Sequence, residues 1–291
     1  MWLSEKARRS QSNRSEEKSI LKYHLSFIDA IYSSRKESLQ IYHYQRDLLK
    51  YLIEKDGEFA VKSHTKRKGK VYLHALGYYR DFAEDYDLKP VTLLLAVYLF
   101  TKVYQQSEVP DAELLKYINP CLWVASKNEQ YFPLRPSALI SRINNDKHLS
   151  KGKCAMIQTL QDLLQYELAL LVLMNFKIFT PPVFDLVELF RAEMLGESSR
   201  RYSSCAQRTI LNNLGNKAFF EKPLSLIALG ALYKEYCQRD EEGKWATLVE
   251  RVSLPDPMKE IEQMSRLLID GESTMKKMGC GVFHEQADDV I

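Results

Sequence analysis

"LWVASKNEQYFP" runs from Leu122 to Pro133. The stretch is almost wholly apolar up to Ala125, ends on Lys127, turns polar and breaks at Pro133. Such a run predicts a buried helix that delivers an ammonium group at its end. A lysine there needs either solvent or a carboxylate to receive it. Further along, Met156–Phe176 predicts a long helix. Counted in steps of three and four, its positions Leu160, Leu163, Leu164, Glu167, Leu168 and Leu171 form one stripe, five of them leucine. The stripe is expected to be a buried face, with Glu167 as its one carboxylate. An unpaired carboxylate on such a face is costly or takes up a proton. Lys127 is the natural partner. If the two meet, the ammonium keeps two donors and the carboxylate keeps lone pairs for something else. Spacing alone leaves two other readings open, a purely structural salt bridge and a glutamate that slides out to solvent at the edge of the stripe.

Outward from this pair, the chain reads as helix after helix. Residues 1–18 are polar and charged. Ile20 to about Glu54 predicts two amphipathic helices. "KSHTKRKGK", Lys62–Lys70, contains no apolar residue. Its cations Lys66, Arg67, Lys68 and Lys70 suit a nuclear-import or phosphate-contacting patch, or simply a solvated loop. Val71–Asp87 predicts a helix, and Pro90 suits the first turn of the next, "VTLLLAVYLFTKVYQQ". That segment is apolar nearly all round and should be central. Asn119-Pro120 either starts the helix that carries Lys127 or kinks one already begun. Pro136 opens a short helix and loop. No helix crosses Thr180-Pro181-Pro182. Beyond it, "VFDLVELFRAEML", "SSCAQRTILNNLGNKAF" and "KPLSLIALGALYKEYC" predict three helices, and Met258–Ile269 a last one before a tail rich in glycine and charge. Pro120 with Ala125 is echoed by Pro223 with Ala228, a faint repeat offset by about a hundred residues. Two similar helical units joined near Pro181-Pro182 are expected.

Composition agrees with this plan. Of 291 residues, 45% are hydrophobic and 27% charged, which suits a soluble globular chain. Eleven glycines and ten prolines are few for a turn-rich β-architecture. A net charge of +3 is too mild to argue for nucleic acid. Five scattered cysteines form no C-x-x-C pair, so neither zinc nor a disulfide framework is implied, and a reduced intracellular compartment is the simplest reading. The N-terminal residues lack the apolar core of a signal peptide, and no apolar run is long enough for a membrane span. No nucleophile–base constellation and no metal set can be assembled, so no cofactor is expected. "CGVFH", Cys280–His284, offers two metal ligands at most. "RTILNNLGN", Arg208–Asn216, fits a destruction-box spelling, but Leu211 there is expected to be core.

"LLLAVYLFTKVY", "LWVASKNEQYFP" and "LLQYELALLVLMNFKIFTPPVF" together resemble the cyclin box, clearly from about Val71 to Leu189. "FFEKPLSLIALGALY" is similar to the second cyclin fold. The resemblance implies an all-α chain: two tandem cyclin-box five-helix bundles with extra N- and C-terminal helices. Its domains would be residues 1–70 (helical extension and basic loop), 71–181 (first fold), 182–270 (second fold) and 271–291 (tail). The family's lysine–glutamate pair falls on Lys127 and Glu167. In cyclins that pair bonds backbone groups of a cyclin-dependent kinase, beside the segment leading into the kinase's regulatory helix. The kinase-binding set implied here is Lys127, Glu167, Leu163, Leu171 and Phe132. The chain would then be a non-catalytic, nuclear activator of a serine/threonine kinase, biasing a two-state element, in a heterodimer with room for a third assembly subunit.

The first box helix departs from cell-cycle cyclins. Their M-R-A-I-L type motif and D-W pair fall on Val71–Ala75 and on Gly77-Tyr78, so substrate docking through an R-x-L groove is in doubt. Lys102 stands where arginine is usual, and Glu129-Gln130 partly replaces Glu-Glu. "YLFTKVY" and "LLQYELALL" look more like transcription-type cyclins, cyclin H and then cyclin C. Rival readings are a cyclin-fold transcription factor that binds DNA, for which the basic face and zinc ribbon are missing, and a scaffold that has lost its kinase.

Overall fold

The structure is a computed structural model that describes residues 38–61, 70–106, 109–145, 159–195, 200–216, 219–237 and 257–277. Every regular element among the described residues is helical: α1 (Ser38–Lys55), α2 (Lys70–Asp85), α3 (Pro90–Gln106), α4 (Ile118–Glu129), α5 (Pro136–Asn145), α6 (Leu160–Leu173), α7 (Val183–Leu195), α8 (Arg200–Asn213), α9 (Leu224–Cys237) and α10 (Pro257–Lys277). Short helical turns cover Asp111–Leu114 and Leu115–Tyr117. The chain divides into two compact units, Met1–Tyr51 and Leu52–Ile291, and every helix from α2 onward belongs to the second.

Five helices, α2 to α6, make the first bundle. Pro90 opens α3 at the position where its missing N–H is not needed. From Thr92 to Thr101 α3 is buried on every side, with α2 and α4 against it. This is the central helix that its all-round apolar sequence predicts. Pro120 lies in the first turn of α4, which follows directly on the helical turns Asp111–Leu114 and Leu115–Tyr117. The same end of α4 is held by buried polar groups. Tyr78 on α2 donates to Asn119 Oδ1 at 2.7 Å, Asn119 Nδ2 donates to the Leu139 carbonyl at 3.0 Å, and Tyr79 donates to the Ile118 carbonyl at 2.9 Å. A phenol buried with its hydroxyl satisfied contributes its apolar area at no polar cost.

In the second bundle α9 is central, buried along nearly its whole length, with α7, α8 and α10 around it. Residues 238–256 lie outside the described residues. Ala125 and Ala228, the repeated small positions, are both fully buried. Gly230 is tighter still: a Cβ there would stand 2.9 Å from Met264 Cγ, so glycine sets how closely α9 and α10 approach.

The bundles are tied through α2 and the residues that precede it. Pro223 has no side-chain acceptor to cap α9. Asp56 supplies one from 168 positions upstream: its carboxylate accepts from the Leu224 and Ser225 backbone N–H groups and from the Ser225 hydroxyl. A carboxylate there satisfies orphan donors and favours the positive end of the helix dipole. Val61 N–H donates to the Phe220 carbonyl at 2.8 Å, and Tyr72 on α2 donates to the Leu214 carbonyl at 3.1 Å.

Several boundaries differ from the sequence expectation. Helix α6 begins at Leu160, because Thr159 and Asp162 form a reciprocal capping box there. Helix α10 continues to Lys277, past Asp270-Gly271; one interior glycine costs about 1 kcal/mol, too little to stop a helix already docked. The basic cluster Lys66, Arg67, Lys68 lies outside the described residues, as does Cys280–His284, and Lys70 is the first residue of α2. Leu211 in the destruction-box spelling is buried.

Candidate functional site

Helices α4 and α6 pack together, and the last turn of α4 brings Lys127 against Glu167 midway along α6. Lys127 Nζ donates to Glu167 Oε1. Glu167 is 9% exposed, while the lysine side chain is 38% exposed. The pair is thus half sealed: the carboxylate sits in the seam and the ammonium reaches solvent. Trp123, one helical turn before Lys127, places its ring 3.9 Å from Nζ. Charge and ring together fix the ammonium in place, and its remaining donors stay available.

The stripe expected to be buried is only partly so. Leu163 and Leu170 are fully buried and bracket Glu167, whereas Leu160, Leu164 and Leu168 lie exposed and Leu171 is half-buried. Six positions taken in steps of both three and four span more of the cylinder than one neighbouring helix covers. The i, i+4 row of Leu160, Leu164, Leu168 and Val172 is the uncovered ridge, and Leu173 is exposed just beyond it. Phe132, in the loop after α4, is 91% exposed; Tyr131, Phe176 and Phe179 are exposed as well. Large apolar side chains gathered like this on two neighbouring segments mark an interaction surface more often than a scatter of single ones does.

Two further contacts position this face. At one end Tyr166, next to Glu167, donates to Glu113 Oε2 at 3.0 Å and packs edge-on against Tyr117. Lys116 donates to Glu113 Oε1 at 2.8 Å. The Lys116 ammonium, and then the Tyr166 hydroxyl, hold the Glu113 carboxyl below the usual carboxylate range. At the other end Glu129 accepts from Thr180 Oγ1 and, at 2.7 Å, from Asn128 Nδ2. The Glu129 carbonyl accepts from Lys89 Nζ at 3.2 Å, and that ammonium lies 4.2 Å from the Tyr131 ring centre. Lys102 on α3 lies 4.8 Å from the Tyr98 ring centre, and burial lowers its pKa.

Of the residues singled out by sequence, Lys127, Glu167, Leu163 and Leu171 are brought together, and Phe132 stands exposed on the loop after α4. The sequence reading missed Trp123 and the Thr180–Glu129 bond. Trp123 had a visible signal, an aromatic at i−4 from the lysine. The bond between residues 51 positions apart had none. Among the described residues no group of three or more potential metal ligands occurs, and no helix is long and apolar enough to cross a membrane.

Comparison with known proteins supports the cyclin family. Residues 40–179 match the cyclin N-terminal domain. Among solved structures, a viral cyclin from herpesvirus saimiri superposes with a TM-score of 0.62 at 15% identity, over 78% of this chain and 96% of that one; at that identity the likeness speaks for the fold alone. A search of curated proteins found no match.

Proposed function

We propose that this chain, with its cyclin N-terminal domain, is the regulatory subunit of a cyclin-dependent protein kinase and activates it allosterically. The observation that carries the proposal is the Lys127–Glu167 pair: the carboxylate is buried, the ammonium is open to solvent, and an uncovered apolar ridge runs beside it. A pair needed only for stability gains nothing from an accessible ammonium, since exposed pairs are worth little. The same pair with donors left over suits backbone carbonyls on an incoming partner. Leu164, Leu168 and Phe132 supply the apolar area for docking, with Leu163 and Leu171 behind them. Catalysis belongs to the partner, whose own lysine–glutamate pair must close before phosphoryl transfer is efficient. Holding the partner's regulatory helix inward shifts a two-state equilibrium by differential binding.

The finer parts of the reading go with it. The complex serves transcription or kinase activation rather than R-x-L substrate docking, because Val71–Ala75 departs from the cell-cycle motif. It works in the nucleus, with Lys66, Arg67, Lys68 and Lys70 as the import patch. Residues 71–181 form the kinase-binding fold, 182–270 the second fold, and 1–70 and 271–291 the flanking extension and tail.

The test is co-purification with a cyclin-dependent kinase, followed by a phosphotransfer assay. Lys127→Ala and Glu167→Ala should each abolish activation while the far-ultraviolet circular dichroism stays that of the folded chain. Full activation by the double variant sinks the proposal.

A further inference from the structure

We propose that Thr180 is a phosphorylation site for a proline-directed serine/threonine kinase, and that its phosphate opens the joint between the end of α4 and the link that follows α6. Thr180 precedes Pro181 and lies in residues 174–182, which join α6 to α7 without helix. Thr180 is half-buried, with exposed Lys177 and Phe179 before it and buried Pro181 after it, so the modifying kinase takes the link as it opens locally. The link begins with two successive left-handed residues, Asn175 at φ 50° and Phe176 at φ 57°. Asparagine tolerates this conformation, but for phenylalanine it is an outlier, so part of the link is under strain.

The Thr180 hydroxyl is spent on one joint. It donates to Glu129 Oε1, the oxygen that also accepts from Asn128 Nδ2; the same Nδ2 lies 3.4 Å from Thr180 Oγ1. Asn128 and Glu129 directly follow Lys127, and the link directly follows the helix of Glu167. The joint therefore closes the face on which the ion pair sits.

Phosphorylation would reverse its sign. Thr180 Oγ1 attacks the γ-phosphorus of ATP. The Oγ1–P bond forms, the bond from that phosphorus to the β,γ-bridging oxygen breaks, ADP leaves with the electron pair, and the hydroxyl proton passes to the modifying kinase's base. Oγ1 then has no hydrogen to donate, and nearly two negative charges stand against the Glu129 carboxylate. Of the three side chains joined here, the Asn128 amide still donates, and Lys89 stays on the Glu129 carbonyl. Like charges at a former hydrogen bond push the link away from α4. The effect on kinase activation rests on the function proposed above; the opening of the joint does not.

The experiment treats the full chain with a proline-directed kinase and magnesium–ATP, with Thr180→Val treated in parallel. Tandem mass spectrometry locates the phosphate, and hydrogen exchange follows the amides of residues 128–130 and 174–180. The expected result is phosphate on Thr180 with exchange faster by about tenfold in both segments, and neither change in Thr180→Val. No phosphate on Thr180, or phosphate with unaltered exchange, overturns the proposal. Binding to a cyclin-dependent kinase is then measured for both forms. If the unmodified chain fails to bind, the function proposed above falls while the exchange result stands. If both forms bind equally, the link between the joint and the ion-pair face is refuted.

Discussion

The Lys127–Glu167 pair of the first bundle and the Lys234–Glu235 pair of the second are disposed in opposite ways. In the first, Lys127 and Glu167 come from different helices and meet at a rim, with the ammonium in solvent. In the second, Lys234 and Glu235 are neighbours on α9, both buried, with Nζ 3.8 Å from Oε1. Thr209 on α8 bridges them: Lys234 donates to its hydroxyl at 3.1 Å, and that hydroxyl donates to Glu235 at 2.8 Å. The same two residue types serve packing where they are sealed, and where one of them is left open they form the pair on which the proposed function rests. Burial of the cation, rather than the presence of the pair, separates the two roles.

That contrast is open to attack by substitution. The largest effect is expected in the second bundle. Lys234→Met strands a buried carboxylate and should cost about 3–5 kcal/mol in urea unfolding. Glu167→Gln should cost at most about 1 kcal/mol, because the ammonium it leaves behind is half-solvated. Equal costs would erase the distinction between a sealed pair and an open one.

Next in size is the tie between bundles. Asp56→Ala leaves buried N–H groups at the start of α9 without their acceptor and should lower stability by about 2–3 kcal/mol. Asp56→Asn should recover part of this. A change below about 0.5 kcal/mol for the alanine variant would mean that the second bundle stands without its upstream cap.

Gly230→Ala should be smaller. The added methyl meets Met264 Cγ at 2.9 Å and Cβ at 3.0 Å and the Ser265 backbone nitrogen at 3.3 Å, and the last two are fixed to the backbone of α10. Strain of about 1–3 kcal/mol is offset by up to about 1 kcal/mol of helix propensity. A variant more stable than the parent in thermal melts would show that α9 and α10 are not at their limit of approach.

The smallest effect is the response to acid at the first-bundle rim. Glu113 has its folded pKa depressed, so it binds protons less readily folded than unfolded. Its contribution is present above the ordinary carboxylate pKa and is lost as pH falls through the depressed folded value. Glu113→Gln should therefore flatten the acid limb of a stability–pH curve and leave stability above pH ~6 nearly independent of pH at this site. An unchanged acid limb would detach Glu113 and Tyr166 from the seating of α6.

Much of the fold was legible because each helix carries its own signals. Pro90 marks a start, Pro181-Pro182 a stop, and the all-round apolar character of residues 91–104 names the centre. The ion pair was legible for a related reason, since a charge on an apolar pattern asks for a partner. What stayed hidden depends on contacts between distant positions. Nothing near Asp56 says that it caps a helix starting at Leu224. Periodicity likewise gave the width of the apolar surface on α6 without saying how much of it α4 would cover, so Leu160, Leu164 and Leu168 were expected inside and lie outside.

The upstream cap has a consequence for synthesis on the ribosome. Asp56 is translated 168 positions before Leu224. At about 5–20 residues per second, its carboxylate waits roughly ten to thirty seconds for the amides it will bind. The first bundle's helices are complete within that interval, but the segment preceding them cannot settle until nearly the whole chain has emerged. A nascent chain arrested before residue 224 should thus expose this segment to protease, and one released after α9 should protect it.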